Sequence, residues 1–126
     1  MKIKLSEFIT SHSENIVVVV QGLGFVGSVM SLVCANAIKG DYAVIGVDLP
    51  TDRGKQIIDD LNNGIFPLVA EDPKIDELYQ NTISKGNFLA TSDKNAYSFA
   101  DVIIVDVNLD VEKNNDISGA LNEFNV

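Results

Sequence analysis

Ile16-Val17-Val18-Val19-Val20-Gln21-Gly22-Leu23-Gly24-Phe25-Val26-Gly27 joins an apolar, β-branched run to a G-x-G-x-x-G turn. β-Branched side chains suit the pleated surface of a strand, and a continuous apolar run suits one buried on both faces. After the turn, Val26, Met30, Val33 and Ala37 recur at spacings of three and four, which predicts an amphipathic helix from Phe25 to about Lys39 with Gly40 as its stop. Strand, glycine turn and helix in that order form a cradle for a dinucleotide pyrophosphate, held by backbone N–H groups and a helix N-terminus.

The glycines of the turn have separate tasks. Gly22 permits the tight exit from the strand, Gly24 lets a pyrophosphate approach the backbone, and Gly27 lets the helix pack closely. Ala43 to Val47 reads as a second buried strand, and Asp48 stands at its end, 21 residues past Gly27. A carboxylate there accepts hydrogen bonds from adenosine ribose hydroxyls and repels a 2′-phosphate, which favours NAD over NADP. The bland alternative is a glycine-rich turn beside an unrelated surface aspartate; the agreement of strand, helix and acidic residue speaks against it. Arg53 either lies along the adenine or ribose or is a surface residue at a helix start, and an arginine there is able to meet a 2′-phosphate.

The rest of the chain alternates in the same way. Residues 1–14 form an arm with a small stripe of Leu5, Phe8 and Ile9, and residues 15–126 form the dinucleotide-binding domain. Asp52 is the expected cap of a helix from Arg53 to Asn63, with Ile57, Ile58 and Leu61 facing inward and Gly64 ending it. A loop holding Pro67 leads to a helix from about Pro73 to Ser84, opened by proline at its first position. Phe88 to Thr91 reads as a short strand, Asp93 to Phe99 as a short helix capped by Ser92 or Asp93, and Val102 to Val107 as another buried strand. The tail from Asn108 to Val126 is polar and poorly periodic. Apolar strands alternating with helices predict an α/β fold: a doubly wound, Rossmann-type parallel sheet with helices on both faces. Such a sheet normally continues past the last of these strands, so an incomplete edge is expected unless a second copy pairs there.

Composition narrows the function classes. The chain has 126 residues, 46% hydrophobic and 21% charged, with a net charge of −9. That charge repels nucleic acid and leaves no basic stripe to bind it; a glycine loop still binds phosphate through backbone dipoles. No apolar run approaches the roughly 20 residues of a membrane helix, and the N-terminus lacks the apolar core of a signal peptide, so a cytoplasmic protein is expected. A single cysteine, Cys34, rules out an internal disulfide, and no metal-ligand spacing is present. Cys34 reads as a buried, inert thiol and His12, the single histidine, as an exposed residue of the arm.

Gly22-Leu23-Gly24-Phe25-Val26-Gly27 resembles the Gly-x-Gly-Tyr/Phe-Val-Gly signature of the UDP-glucose/GDP-mannose dehydrogenase family. The likeness continues in order: Gly46-Val47-Asp48 with Arg53, then Leu61-Asn62-Asn63-Gly64-Ile65-Phe66-Pro67 with Glu71 after it, then Leu89-Ala90-Thr91-Ser92-Asp93, then Ala100-Asp101-Val102-Ile103-Ile104-Val105. It covers about residues 15–107. The resemblance implies an enzyme of polysaccharide biosynthesis that uses NAD to oxidise the C6 hydroxyl of a nucleotide sugar to a carboxylate. It carries Gly22, Leu23, Gly24, Phe25, Val26, Gly27, Asp48, Arg53 and Thr91 over as cofactor-contacting positions, with Thr91 towards the ribose or nicotinamide. The family's Val-Pro-Thr-Pro is replaced by Val107-Asn108-Leu109-Asp110, and its nucleophilic cysteine, lysine and asparagine belong to later segments. Cys34, in Leu32-Val33-Cys34-Ala35, does not match that cysteine. The resemblance thus implies the amino-terminal cofactor half of a longer, homo-oligomeric enzyme, with no catalytic residue in this chain and NAD binding without turnover. A non-catalytic NAD-sensing module and the amino-terminal domain of another β-hydroxyacid-type dehydrogenase remain the alternatives.

Overall fold

A computed structural model of the chain describes residues 4–69 and 71–106, together with two short strands in the C-terminal segment. The core is one parallel sheet of β1 (Ile16–Gln21), β2 (Tyr42–Val47), β3 (Phe88–Thr91) and β4 (Val102–Val105), in the order β3-β2-β1-β4. Val19 stands opposite Ile45 on one side and Ile103 on the other. The chain runs outward from β1 to β2 and β3, then returns to place β4 on the far side of β1. That reversal makes the carboxyl ends of β1 and β4 the point where a doubly wound sheet opens a crevice.

Side chains leave a strand alternately to its two faces. Val17, Val19, Ala43, Ile45 and Leu89 meet Phe8 and Ala96 on one face. Phe8 comes from α1 (Leu5–Ser11), so the arm closes this face together with the short 3-10 helix Lys94–Phe99. Val18, Val20 and Val44 face the other way, beneath α2 (Phe25–Ala35). There α3 (Asp52–Asn62) and α4 (Pro73–Lys85) add Ile57, Ile58, Leu61, Ile75 and Tyr79. Both faces are covered over β1, β2 and β3, which is why those strands read as continuous apolar runs rather than alternating ones, whereas β4, expected to be buried, is largely exposed among the described residues.

Several local expectations change. α2 ends at Ala35 rather than Lys39, because Asn36 takes the C-cap: its Nδ2 donates to the Leu32 carbonyl (2.7 Å) and the Thr82 hydroxyl (2.8 Å). The stripe of Val26, Met30 and Val33 faces outward, with Val26 60% exposed. The face against the sheet consists instead of Gly27, Ser28, Ser31, Leu32 and Ala35. The helix lies too close to the sheet for large side chains, and the serine hydroxyls are satisfied locally, Ser28 on Leu23 O and Ser31 on Gly27 O. Thr51, not Asp52, caps α3, accepting the Gly54 N–H at 3.0 Å. Asp72 caps α4 and Asp93 the 3-10 helix. β4 stops at Val105. His12 is half-buried, its ring 4.4 Å from that of Phe8. In the tail, β5 (Val111–Lys113) and β6 (Gly119–Leu121) pair antiparallel, where no strand was expected. Among the described residues β4 is an edge of the sheet, with Val102, Ile103 and Val105 about half exposed.

The Leu61-Asn62-Asn63-Gly64 segment has a structural task. Asn62 accepts the Ala90 N–H at 2.9 Å and donates to the Ala90 carbonyl at 2.8 Å, so its amide takes the place of a neighbouring strand beside β3. Gly64, at φ 84°, turns the chain so that Ile65 N–H closes on Asp60 O at 2.9 Å. Asp101 pins the other side of the sheet, where its carboxylate accepts the Val17 N–H at 2.8 Å.

Asn62→Ala leaves the N–H and C=O of a buried β3 residue without partners, and is expected to cost about 2 kcal/mol in urea unfolding. Tyr79 donates to the Leu61 carbonyl at 2.9 Å, and burial pushes its phenol up to about 12. A raised folded-state pKa contributes stability that is complete below the ordinary tyrosine value, near 10, and is lost as pH climbs through 12. The melting temperature should therefore fall over that alkaline window, and Tyr79→Phe should flatten the fall.

Candidate functional site

The glycine turn is built by backbone contacts. Gly22 leaves β1 at φ 97°, and a Cβ on it would collide with the Asp106 carbonyl oxygen just past β4. A Cβ on Gly27 would collide with the Gly22 carbonyl oxygen. Gly22 N–H donates to Val47 O at 2.8 Å, and Asp106 N–H donates to Gln21 O at 2.8 Å. The turn is thus clamped between the ends of β2 and β4. Gly24 differs from both: it is the N-cap of α2, and nothing lies within 4 Å of the place a Cβ would occupy. The N-terminal amides of α2 therefore open onto free space at Gly24, the condition for an anion to reach them.

Asp48 connects this turn to β2. One carboxylate oxygen accepts the Leu23 N–H at 3.0 Å and the other accepts the Leu49 N–H at 2.7 Å. Each oxygen keeps a further lone pair for a hydroxyl. Leu23 itself is fully buried, and Gly46 makes room for it, since a Cβ there would stand 2.5 Å from the Leu23 Cδ2. Gly54 has a similar part beneath Leu49, whose carbonyl oxygen a Cβ would strike. Sequence reasoning missed Gly46 and Gly54; their signal is glycine inside a strand or helix, which marks close approach.

A cavity of about 770 Å³ opens above these ends, the size of an ordinary ligand site. Gly22, Leu23, Gly24, Asp48 and Arg53 line it, so the structure brings these expected positions together. Ser92, Lys94, Tyr97 and Asp106, which sequence reasoning had not singled out as site residues, line it as well. Burial, and then the charge of Asp48, push the Tyr97 phenol up, so Tyr97 stays a neutral hydrogen-bonding group. Phe25, Val26 and Gly27 form the first turn of α2 but do not line the cavity; the Phe25 and Val26 side chains face solvent. Thr91 does not line it either. Its hydroxyl accepts the Asp93 N–H at 3.1 Å and its carbonyl the Asp48 N–H at 3.2 Å, so it holds the turn that carries Ser92 and Lys94.

Cys34 is half-buried and burial pushes its thiol up, the opposite of what an attacking thiolate needs. Among the described residues, no group of three or more His, Cys, Asp or Glu is placed to hold a metal ion, and no helix is long and apolar enough to cross a membrane. Val107-Asn108-Leu109-Asp110, the departure from the Val-Pro-Thr-Pro segment, lies outside the described residues.

Solved structures share this architecture. An NDP-N-acetyl-D-galactosaminuronic acid dehydrogenase from Methanosarcina mazei Go1 superposes with a TM-score of 0.71 at 23% identity, over 95% of this chain and 25% of that one. A GDP-mannose dehydrogenase from Pseudomonas aeruginosa, solved as a ternary complex, gives 0.57 at 28% identity, over 81% and 21%. A UDP-D-ManNAc dehydrogenase from Pyrococcus horikoshii gives 0.63 at 23% identity, over 77% and 21%. The chain thus spans about a quarter or less of the length of these relatives. No curated protein matches it. The model of the UDP-glucose/GDP-mannose dehydrogenase family's NAD-binding domain matches residues 15–122. That span contains the glycine turn, Asp48 and the whole parallel sheet, and the chain accordingly belongs to the UDP-glucose/GDP-mannose dehydrogenase family, whose NAD-binding domain it carries.

Proposed function

We propose that this chain is the cofactor-holding part of a longer dehydrogenase that oxidises the C6 hydroxyl of a nucleotide sugar, of the UDP-glucose or UDP-N-acetylhexosamine type, to a carboxylate. The observation that carries the reading is the open space over Gly24 at the N-terminus of α2, in a turn where Gly22 and Gly27 admit no side chain. The diphosphate of NAD lies there, on the first-turn amides contributed by Gly24, Phe25, Val26 and Gly27. Asp48 accepts the adenosine ribose hydroxyls while its other bonds hold Leu23 and Leu49 in place. Arg53, on the same cavity wall, lies along the adenine or ribose. Thr91 holds the turn that carries Ser92 and Lys94, towards the nicotinamide end.

NAD supplies a hydride acceptor at nicotinamide C4. The chain's own contribution is binding and orientation, while nucleophile, base and sugar-nucleotide pocket come from other segments of the longer enzyme. That enzyme works in the cytoplasm as a homo-oligomer. By itself this chain binds NAD and turns nothing over; turnover of a UDP-sugar by the 126 residues alone would refute this division of labour.

The glycines separate binding from folding. Gly24→Ala meets no atom of the protein and should leave the melting temperature nearly unchanged, yet it intrudes on the diphosphate and should weaken NAD at least about tenfold by calorimetry. Gly27→Ala should instead lose the fold, seen as a collapsed thermal transition. Asp48→Ala should weaken NAD about tenfold and narrow the preference over NADP. Unchanged affinities for both cofactors would remove Asp48 from the site.

A further inference from the structure

Asp106 follows β4 and is held on two sides by backbone: its N–H on Gln21 O, its carbonyl oxygen packed against Gly22. These contacts fix its backbone at the mouth of the glycine turn. Carboxylate oxygen Oδ2 stands 3.1 Å from the point a Cβ would occupy on Gly27, in the first turn of α2. The residue also lines the cavity that holds Gly24 and Asp48. Asp48 and Asp101 spend their carboxylates on backbone N–H groups. The Asp106 carboxylate has no such partner among the described residues, and it is half-buried. A negative charge is therefore parked beside the positive end of α2, where it is favourable while the cavity holds no other anion.

We infer that Asp106 is an affinity-setting residue of this cavity, whose carboxylate competes with the diphosphate of a bound dinucleotide for the N-terminus of α2. The inference rests on the NAD reading above. One helix end attracts one anion well. A second anion in the same turn gains less from the helix and is repelled by the first, in a half-buried place where solvent screens the pair incompletely. The penalty falls on the phosphates alone. Adenosine carries no phosphate and does not meet Asp106, whereas ADP and NAD do. Arg53 and Lys94 line the same cavity as cations and offset part of the repulsion without removing its local source. The chain thus holds its cofactor less tightly than its glycine turn allows, and one residue sets the difference.

Calorimetric titration of the 126-residue chain with adenosine, ADP and NAD tests this, beside Asp106→Asn and, as a second variant of different shape, Asp106→Ser. Both variants should bind ADP and NAD about tenfold more tightly than the parent, with adenosine unchanged. Circular dichroism checks that each keeps the fold. Equal ADP and NAD affinities in parent and folded variants overturn the inference and leave the NAD reading standing. An adenosine gain as large as the ADP gain also overturns it, because the effect would then be one of shape rather than charge. No NAD binding by any of the three proteins overturns the NAD reading itself, and the inference with it.

Discussion

Everything at the working end of this molecule depends on backbone meeting backbone at the end of β1. Gly22 lies against the carbonyl of Asp106, and Gly27 against the carbonyl of Gly22. No side chain fits between them. The two contacts tie the start of α2 to β1 and β4 together, and they fix the direction in which the helix leaves the sheet. The free N–H groups at the head of α2 consequently face the crevice between β1 and β4. A helix set one side chain farther from the sheet would have no reason to point its positive end there.

The packing of α2 follows from that closeness. Its inner face is glycine, serine and alanine with a single leucine, because nothing larger fits against strands approached so nearly. The serines remain inexpensive to bury since their hydroxyls bond carbonyls of the turn and of the helix itself. Spacing identified the helix correctly, but its most apolar stripe, Val26, Met30 and Val33, faces away from the sheet. Periodicity measures how apolar residues cluster around a helix axis, and a helix with two apolar sides satisfies it whichever side is packed. β4 also leaves Val102, Ile103 and Val105 about half exposed.

Asp48 and Asn62 show two ways a polar side chain becomes part of a fold. Asp48 was read as a ribose acceptor, and in the fold it links β2 to the glycine turn through Leu23 N–H. Asn62 was read only as part of a family-like segment, yet its amide completes the hydrogen bonding of β3. Asp106 belongs with them as a carboxylate placed by its backbone contacts rather than by a motif. The side chains of Asp48 and Asn62 and the backbone of Asp106 each bond across more than 15 residues of sequence, so local spacing carries no trace of the partner.

The order of strands and helices from β1 to β4, the glycine turn and the acidic residue at the end of β2 were legible in the sequence, while the paired strands β5 and β6 were not. Each depends on local chemistry: β-branched runs, helix caps and a turn that excludes Cβ atoms. The family was legible for the same reason, because its signatures are short stretches read in order, and the family match over residues 15–122 agrees. Which face of α2 packs, where Asn36 ends it, and why Gly46 and Gly54 carry no side chain emerged only from the folded chain. So did the arrival of Lys94, Tyr97 and Asp106 at the cavity that Asp48 lines. Those features depend on distances between segments far apart in sequence, and a parallel sheet sets such distances only when crossovers bring its strands side by side.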